Sequence, residues 1–267
     1  MKAERQAGPR VLARRDTRGV SWLTINRPEV RNALDFELLG ELAAAVDEEG
    51  RGASVLVISG AGDRAFSSGF DLNRLSGTIA DLEADRAIGL AADAIRDCPV
   101  PVLAAVRGHC HGAAVELALS CDLRFASSDM RLGVPAVRLG VVYRPQLVAR
   151  LGRLAGLGRA ADLLLGGRII DAQEAWAAGL ITEVLDPGQL EKRVQAVAHD
   201  LAGQPPEAVR GTKAVLRRLD DNRLTVEGIE ELETWRAKAA ASQGRRDALA
   251  TARAQLRGRD QAPEAHG

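Results

Sequence analysis

One stretch restricts the fold more than any other: Val102-Leu-Ala-Ala-Val-Arg-Gly108-His-Cys-His-Gly112-Ala-Ala-Val-Glu116-Leu-Ala-Leu-Ser-Cys-Asp122. A β-branched apolar run ending in glycine reads as a buried strand. The segment after Gly112 reads as a helix, so strand passes into helix through a turn of small residues. Such a turn lets backbone approach a ligand closely, and the N–H groups that open a helix have no partner within it. Those donors suit an anion, including the transient oxyanion of a reacting carbonyl. Glu116 falls within one helical turn of them. A candidate general acid/base therefore stands beside a candidate oxyanion site.

A second unit repeats this logic: Val55-Leu-Val-Ile-Ser-Gly-Ala-Gly-Asp-Arg-Ala65-Phe-Ser-Ser-Gly69-Phe70-Asp71-Leu72. Strand and helix alternate around the two. Val11–Ala13 and Val20–Ile25 read as short strands about a turn at Asp16–Gly19. A helix opens at Asn32–Asp35 and runs to about Glu49, with Leu38, Leu39, Leu42 and Val46 on one face. Ile79–Arg96 and the segment from Gly112 to Ser120 are predicted helices; Val100–Val106 and Leu123–Ala126 are predicted strands. This alternation, through roughly residue 140, predicts an α/β fold with crossover connections. From Gln146 to about Arg257 the pattern is mostly helical, with a capping box at Asp171-Ala-Gln-Glu174 and a helix boundary at Pro205-Pro206. Residues 1–10 read as a disordered N-terminus and 258–267 as a polar tail.

The length of 267 residues suits one large domain, or a main domain with a small appendage, and 46% apolar residues can fill its core. The 36 basic and 36 acidic residues balance, so no net field favours nucleic acid or an anionic membrane. No stretch approaches membrane-spanning length and no leader-like apolar segment opens the chain. The expectation is a soluble, cytoplasmic protein without nucleic-acid or membrane partners. Cys98, Cys110 and Cys121 are odd in number and lack a Cys-x-x-Cys pair, which fits buried thiols in a reducing compartment. His109-Cys110-His111 invites a metal, but strand alternation separates neighbours and nothing at suitable spacing completes a ligand set. No metal site is expected. Gly60-Ala-Gly-Asp-Arg-Ala65 mimics a dinucleotide fingerprint yet does not open a helix.

Together the two glycine turns resemble the paired signature of the crotonase, or enoyl-CoA hydratase/isomerase, superfamily. Thr24-Ile-Asn-Arg-Pro-Glu-Val-Arg-Asn-Ala-Leu34, Arg138-Leu-Gly140, Ala160-Ala-Asp-Leu-Leu-Leu-Gly-Gly-Arg168 and Ile170-Asp-Ala-Gln-Glu-Ala-Trp-Ala-Ala-Gly179-Leu fit it in the same order. The resemblance covers roughly residues 11–250. It implies a crotonase fold: a spiral of repeated ββα units over 11–195, then a C-terminal helical trimerisation region over 196–257. The assembly implied is a homo-oligomer, a trimer or a dimer of trimers. The substrate implied is an acyl-CoA thioester, so that CoA is part of the substrate and no further cofactor is expected. The backbone N–H groups of Phe70 and Ala113 would stabilise its enolate, and Glu116 maps to the first of two glutamates used by hydratases. Arg27 and Arg31 would lie near the adenine end, with Asp71 and Leu72 shaping the pantetheine channel. Ala65, Ser68, Gly112 and Ala136 complete the implied substrate-binding positions.

Two departures bear on the chemistry. Ala136 stands where the second glutamate would fall, and alanine can neither activate water nor move a proton. Leu139-Gly-Val-Val-Tyr143 is similar to the methylmalonyl-CoA decarboxylase branch, which keeps the first glutamate, lacks the second and places its tyrosine near the acyl group. That branch has histidine where this chain has Phe70. The sequence thus reads as an acyl-CoA enzyme of the hydratase/isomerase family with Glu116 as acid/base and Tyr143 assisting. The alternatives are a malonyl-type decarboxylase using Tyr143 and a non-catalytic acyl-CoA-binding relative.

Overall fold

The computed structural model describes residues 8–220 and, beyond them, isolated positions between Thr234 and Asp247. Two compact units divide the chain between Ala202 and Gly203. In the first, the elements are β1 (Val11–Arg15), β2 (Val20–Ile25), α1 (Phe36–Gly52), β3 (Val55–Gly60), β4 (Ala65–Ser67), α2 (Leu82–Asp97), β5 (Val102–Val106), β6 (His109–His111) and α3 (Ala113–Ser120). After them come β7 (Leu123–Ser127), β8 (Arg131–Gly133), α4 (Pro145–Leu164), β9 (Ile169–Asp171), α5 (Ala172–Ala177), β10 (Glu183–Leu185) and α6 (Leu190–Ala202). A long strand, a short strand and a helix recur as β3-β4-α2, β5-β6-α3 and β7-β8-α4. Long strands form a six-stranded sheet in the order β1-β2-β3-β5-β7-β10, and short strands a four-stranded one in the order β4-β6-β8-β9.

The apolar runs explain the first sheet. Val55, Leu56, Val57 and Ile58 of β3 are fully buried, as are nearly all of β5, because helices cover both faces of a largely parallel sheet. Leu38, Leu39, Leu42 and Val46 of α1 join the core on one side. On the other, Leu190, Val194 and Ala198 of α6 pack with Trp22, Val57, Leu103 and Phe125. This contact carries the first unit to Ala202, so the boundary expected at 195–196 falls inside α6. Cys98, Cys110 and Cys121 are buried free thiols.

The second sheet was invisible to pattern reading. Each of its strands has three residues, and the middle ones, Phe66, Cys110, Leu132 and Ile170, point into the core. Three residues per strand are too few to show an alternation. For the same reason β9 and β10 interrupt the stretch expected to be mostly helical. The capping box is present: Glu174 N–H donates to Asp171 Oδ1 at 2.9 Å and Asp171 N–H to Glu174 Oε2 at 3.3 Å. Residues 9 and 10 are tied down rather than frayed, since Asn26 donates to the carbonyls of Pro9 (3.2 Å) and Arg10 (2.7 Å). Residues 1–7, the tail 258–267 and most of the segment expected to be helical after Asp220 lie outside the described residues. In the second unit, α7 (Pro206–Asp220) starts at the expected proline pair.

The turn before α1 is held by one side chain. Asn32 is buried with φ 57°; its Nδ2 donates to Ala61 O and Ala65 O at 2.9 Å each, and its Oδ1 accepts from Arg27 N–H at 3.0 Å. The helix itself starts at Asp35, whose Oδ1 accepts from Leu38 N–H at 2.9 Å. Asn32→Ala is expected to leave three backbone groups without partners at a cost on the order of 3 kcal/mol. Thermal melting should show a clear loss; an unchanged midpoint would mean the turn holds itself.

Candidate active site

Gly69 and Gly112 bring two loops together. Gly69 has φ +95°, and a Cβ there would stand 2.6 Å from the His111 carbonyl oxygen and 3.7 Å from Ala113 N. Leu34 N–H donates to Gly69 O and Asp71 N–H to Leu34 O, both at 2.8 Å, which fixes the Phe70 peptide. Gly112, at φ +57°, donates to Gly133 O at 2.9 Å and passes the chain from β6 into α3, whose first residue is Ala113. Among the described residues, neither the Phe70 N–H nor the Ala113 N–H is paired with a protein acceptor. The Phe70 ring packs edge-on against Phe36, centroids 5.4 Å apart.

Glu116 lies one turn along α3, every residue of which is buried, and is itself 4% exposed. Burial lifts its carboxyl above the usual range; Arg144 and Arg150 oppose that, while Asp85 and Asp93 add to it. Its Oε1 lies 3.0 Å from Arg144 Nη2. The Tyr143 hydroxyl sits 3.2 Å from where a Gly112 Cβ would be. Burial, with Glu116 and Asp85 contributing, raises that phenol, so it stays a neutral donor. Phe70, Gly112, Ala113, Glu116 and Tyr143 therefore gather at one junction.

The other expected positions divide. Arg27 is already paired: Nη1 lies 2.9 Å from Asp35 Oδ2 and donates to Ala33 O at 2.7 Å, and Nη2 lies 3.6 Å from Asp71 Oδ2. Arg31 is exposed and left-handed (φ 56°), and its charge helps depress the His111 pKa, after burial and His109. Ala65 is buried and gives its carbonyl to Asn32. Ser68 N–H donates to Arg31 O at 3.0 Å. Asp71 accepts from Asn73 N–H at 3.1 Å, and Leu72 is exposed. Ala136 opens a 3-10 turn, Ala136–Leu139.

His109 and His111 share one face of β6, ring centroids 5.1 Å apart, with Cys110 buried on the other. Among the described residues no group of three His, Cys, Asp or Glu could hold a metal ion, and no helix is long and apolar enough to cross a membrane.

Two residues at the junction were not anticipated. Arg144 reaches across to α2, where a Cβ on Gly89 would fall 1.3 Å from its Nη1. Asp85, one helical turn before Gly89, is half-buried, and burial raises its carboxyl against the pull of Arg144. An isolated glycine inside a helix is the signal that could have marked this contact, since such a residue needs a packing reason.

Comparison with known proteins bears on the family and the fold. Residues 15–244 match the enoyl-CoA hydratase/isomerase family. A short-chain-enoyl-CoA hydratase of Clostridium acetobutylicum is 33% identical over 204 residues, 74% of this chain and 78% of that protein. A peroxisomal Δ(3,5)-Δ(2,4)-dienoyl-CoA isomerase of Arabidopsis thaliana is 31% identical over 257 residues, 90% of this chain and 91% of that one. Among solved structures, an enoyl-CoA hydratase/carnitine racemase from Magnetospirillum magneticum superposes with a TM-score of 0.85 at 32% identity, covering 93% of this chain and 94% of its own. With the family matched over most of its length and the fold shared with its solved members, the chain belongs to the enoyl-CoA hydratase/isomerase family.

Proposed function

We propose that the chain acts on an acyl-CoA thioester through its enolate, with Phe70 and Ala113 N–H as the oxyanion donors and Glu116 as the proton carrier. The observation that carries this is the meeting of two acceptor-free N–H groups with a buried carboxylate one helical turn away. Negative charge on the thioester oxygen would be met by two fixed dipoles, which need no reorganisation as the charge develops. A carboxyl lifted by burial is better matched to both taking and returning a proton than an ordinary one. Because Ala136 brings no second carboxyl, Glu116 serves both proton steps, and Tyr143 supplies a neutral hydrogen bond beside Gly112. Arg31, the exposed one of the two expected arginines, suits the CoA phosphates. The trimeric or doubly trimeric assembly and the cytoplasmic setting belong to the same proposal.

The position of Tyr143 over Gly112 favours one second reading. In a malonyl-type thioester the bond to the carboxylate would break, its electron pair would form the same enolate, and CO₂ would leave.

Crotonyl-CoA and methylmalonyl-CoA, assayed side by side by mass spectrometry, test both. Water addition to crotonyl-CoA is expected if Glu116 alone suffices. Loss of CO₂ from methylmalonyl-CoA with crotonyl-CoA untouched would select the second reading. Saturable binding of both without turnover would reduce the chain to an acyl-CoA-binding relative.

A further inference from the structure

The proposed reading gives no task to Arg144, yet the fold builds a seat for it. Its Nη1 lies over Gly89 of α2, where any side chain would collide with it. Its Nη2 holds Glu116 Oε1 at 3.0 Å. Its Nε is buried with no hydrogen-bond partner. A guanidinium presents Nε–H and Nη–H as a planar fork that matches the two oxygens of a carboxylate. Glu116 fills only one tine of that fork.

Glu116, Arg144, Asp93, Gln146 and Arg150 border a cavity of about 10 Å³ between α2, α3 and α4. On the Ala113 side, an acyl group that reaches the oxygen of Glu116 held by Arg144 displaces the guanidinium or binds it. A plain alkyl chain would push a half-buried cation off its carboxylate without replacing that partner, which carries a desolvation cost. A chain ending in a carboxylate would occupy the vacant fork and release Glu116 for proton transfer. Ala113 and Glu116 are separated by a helical rise of about 4.5 Å, so the carboxylate must lie only a few bonds from the thioester carbonyl.

Building on the acyl-CoA reading above, we propose that Arg144 is a carboxylate receptor and that the preferred substrates are CoA thioesters of short dicarboxylic acids. Arg144 exchanges Glu116 for the distal carboxylate of the acyl group, and Gly89 keeps the guanidinium in reach of both. It is a residue of specificity rather than of proton transfer.

Succinyl-CoA and butyryl-CoA test this, because their four-carbon acyl chains differ at the far end by a carboxylate. Equilibrium binding to the full-length protein is expected to favour succinyl-CoA at least tenfold. Arg144→Met should collapse that ratio to about one, and Arg144→Lys should keep part of it, a lysine supplying charge without the fork. Glu116→Gln should widen the ratio, since the competing anion is gone. Butyryl-CoA binding as tightly as succinyl-CoA in the unaltered protein would overturn the inference without any variant having to fold, and leave the acyl-CoA reading standing. So would a preference that survives Arg144→Met. If neither thioester nor free CoA binds, the acyl-CoA reading itself fails and this inference falls with it.

Discussion

Ala113→Pro is expected to cut kcat on the thioester that proves active by about 10²- to 10³-fold, the usual cost of losing one oxyanion donor. The substitution is chosen for its gentleness to the fold. Ala113 is the first residue of α3, where proline is well tolerated because its missing N–H would have no helical partner and its fixed φ suits the turn. Gly112 before it already lies outside the right-handed helical region, at φ 57° and ψ −122°, so the restriction that proline places on its neighbour is not violated by a helical residue. The N–H is withdrawn and the proline Cδ takes the place of its hydrogen, so KM is read beside kcat to separate the lost donor from crowding of the site. Turnover should be measured beside circular dichroism and thermal melting. A folded variant that kept its rate within about threefold would show that Ala113 N–H does not stabilise the transition state.

Glu116→Gln should lower kcat by about 10²- to 10⁴-fold, the range typical of a lost general acid/base. Glutamine keeps the size and leaves an oxygen for Arg144, so packing is conserved. The pH dependence carries a second signature. Burial raises this carboxyl, so the base form appears only above the ordinary carboxylate range of about 4.3. In kcat/KM the acid limb should therefore fall away at a pH above that value. Linkage acts in the opposite sense on stability. Between the unfolded and folded values the native state binds the extra proton, so stability declines as pH rises through that window. The Gln variant should lose this decline along with its activity. Retained turnover would remove Glu116 from the reaction.

What pattern reading recovered, and what it missed, follows from how far each feature reaches along the chain. β5 and α3 were legible because their burial is written in consecutive residues: every position of both is buried. The capping box at Asp171 spans four residues and could be read directly. The junction of Phe70, Ala113 and Glu116 was visible through two local turns and a resemblance that linked them. The sequence pattern makes Asn32 the opening of α1, whereas it is the left-handed hinge before it, and only Ala61 and Ala65 reveal that role. Arg144 was out of reach for the same reason. Its meaning depends on Gly89, more than fifty residues earlier, and on a contact that exists only when α2 and the segment before α4 face each other.

The short-strand sheet has a consequence for how such a chain can change. Phe70 follows β4 and Ala113 follows β6, and these strands are hydrogen-bonded neighbours. The spacing of the two proposed donors is therefore inherited from the separation of adjacent strands, about 4.8 Å in any sheet, and owes nothing to the side chains at positions 70 and 113. A mutation at either position can remodel the walls around a substrate while the main-chain cradle stays where it was. Ligand preference and the machinery for carrying negative charge are thus written in separate parts of the polypeptide. A lineage could trade one acyl group for another through its side chains alone.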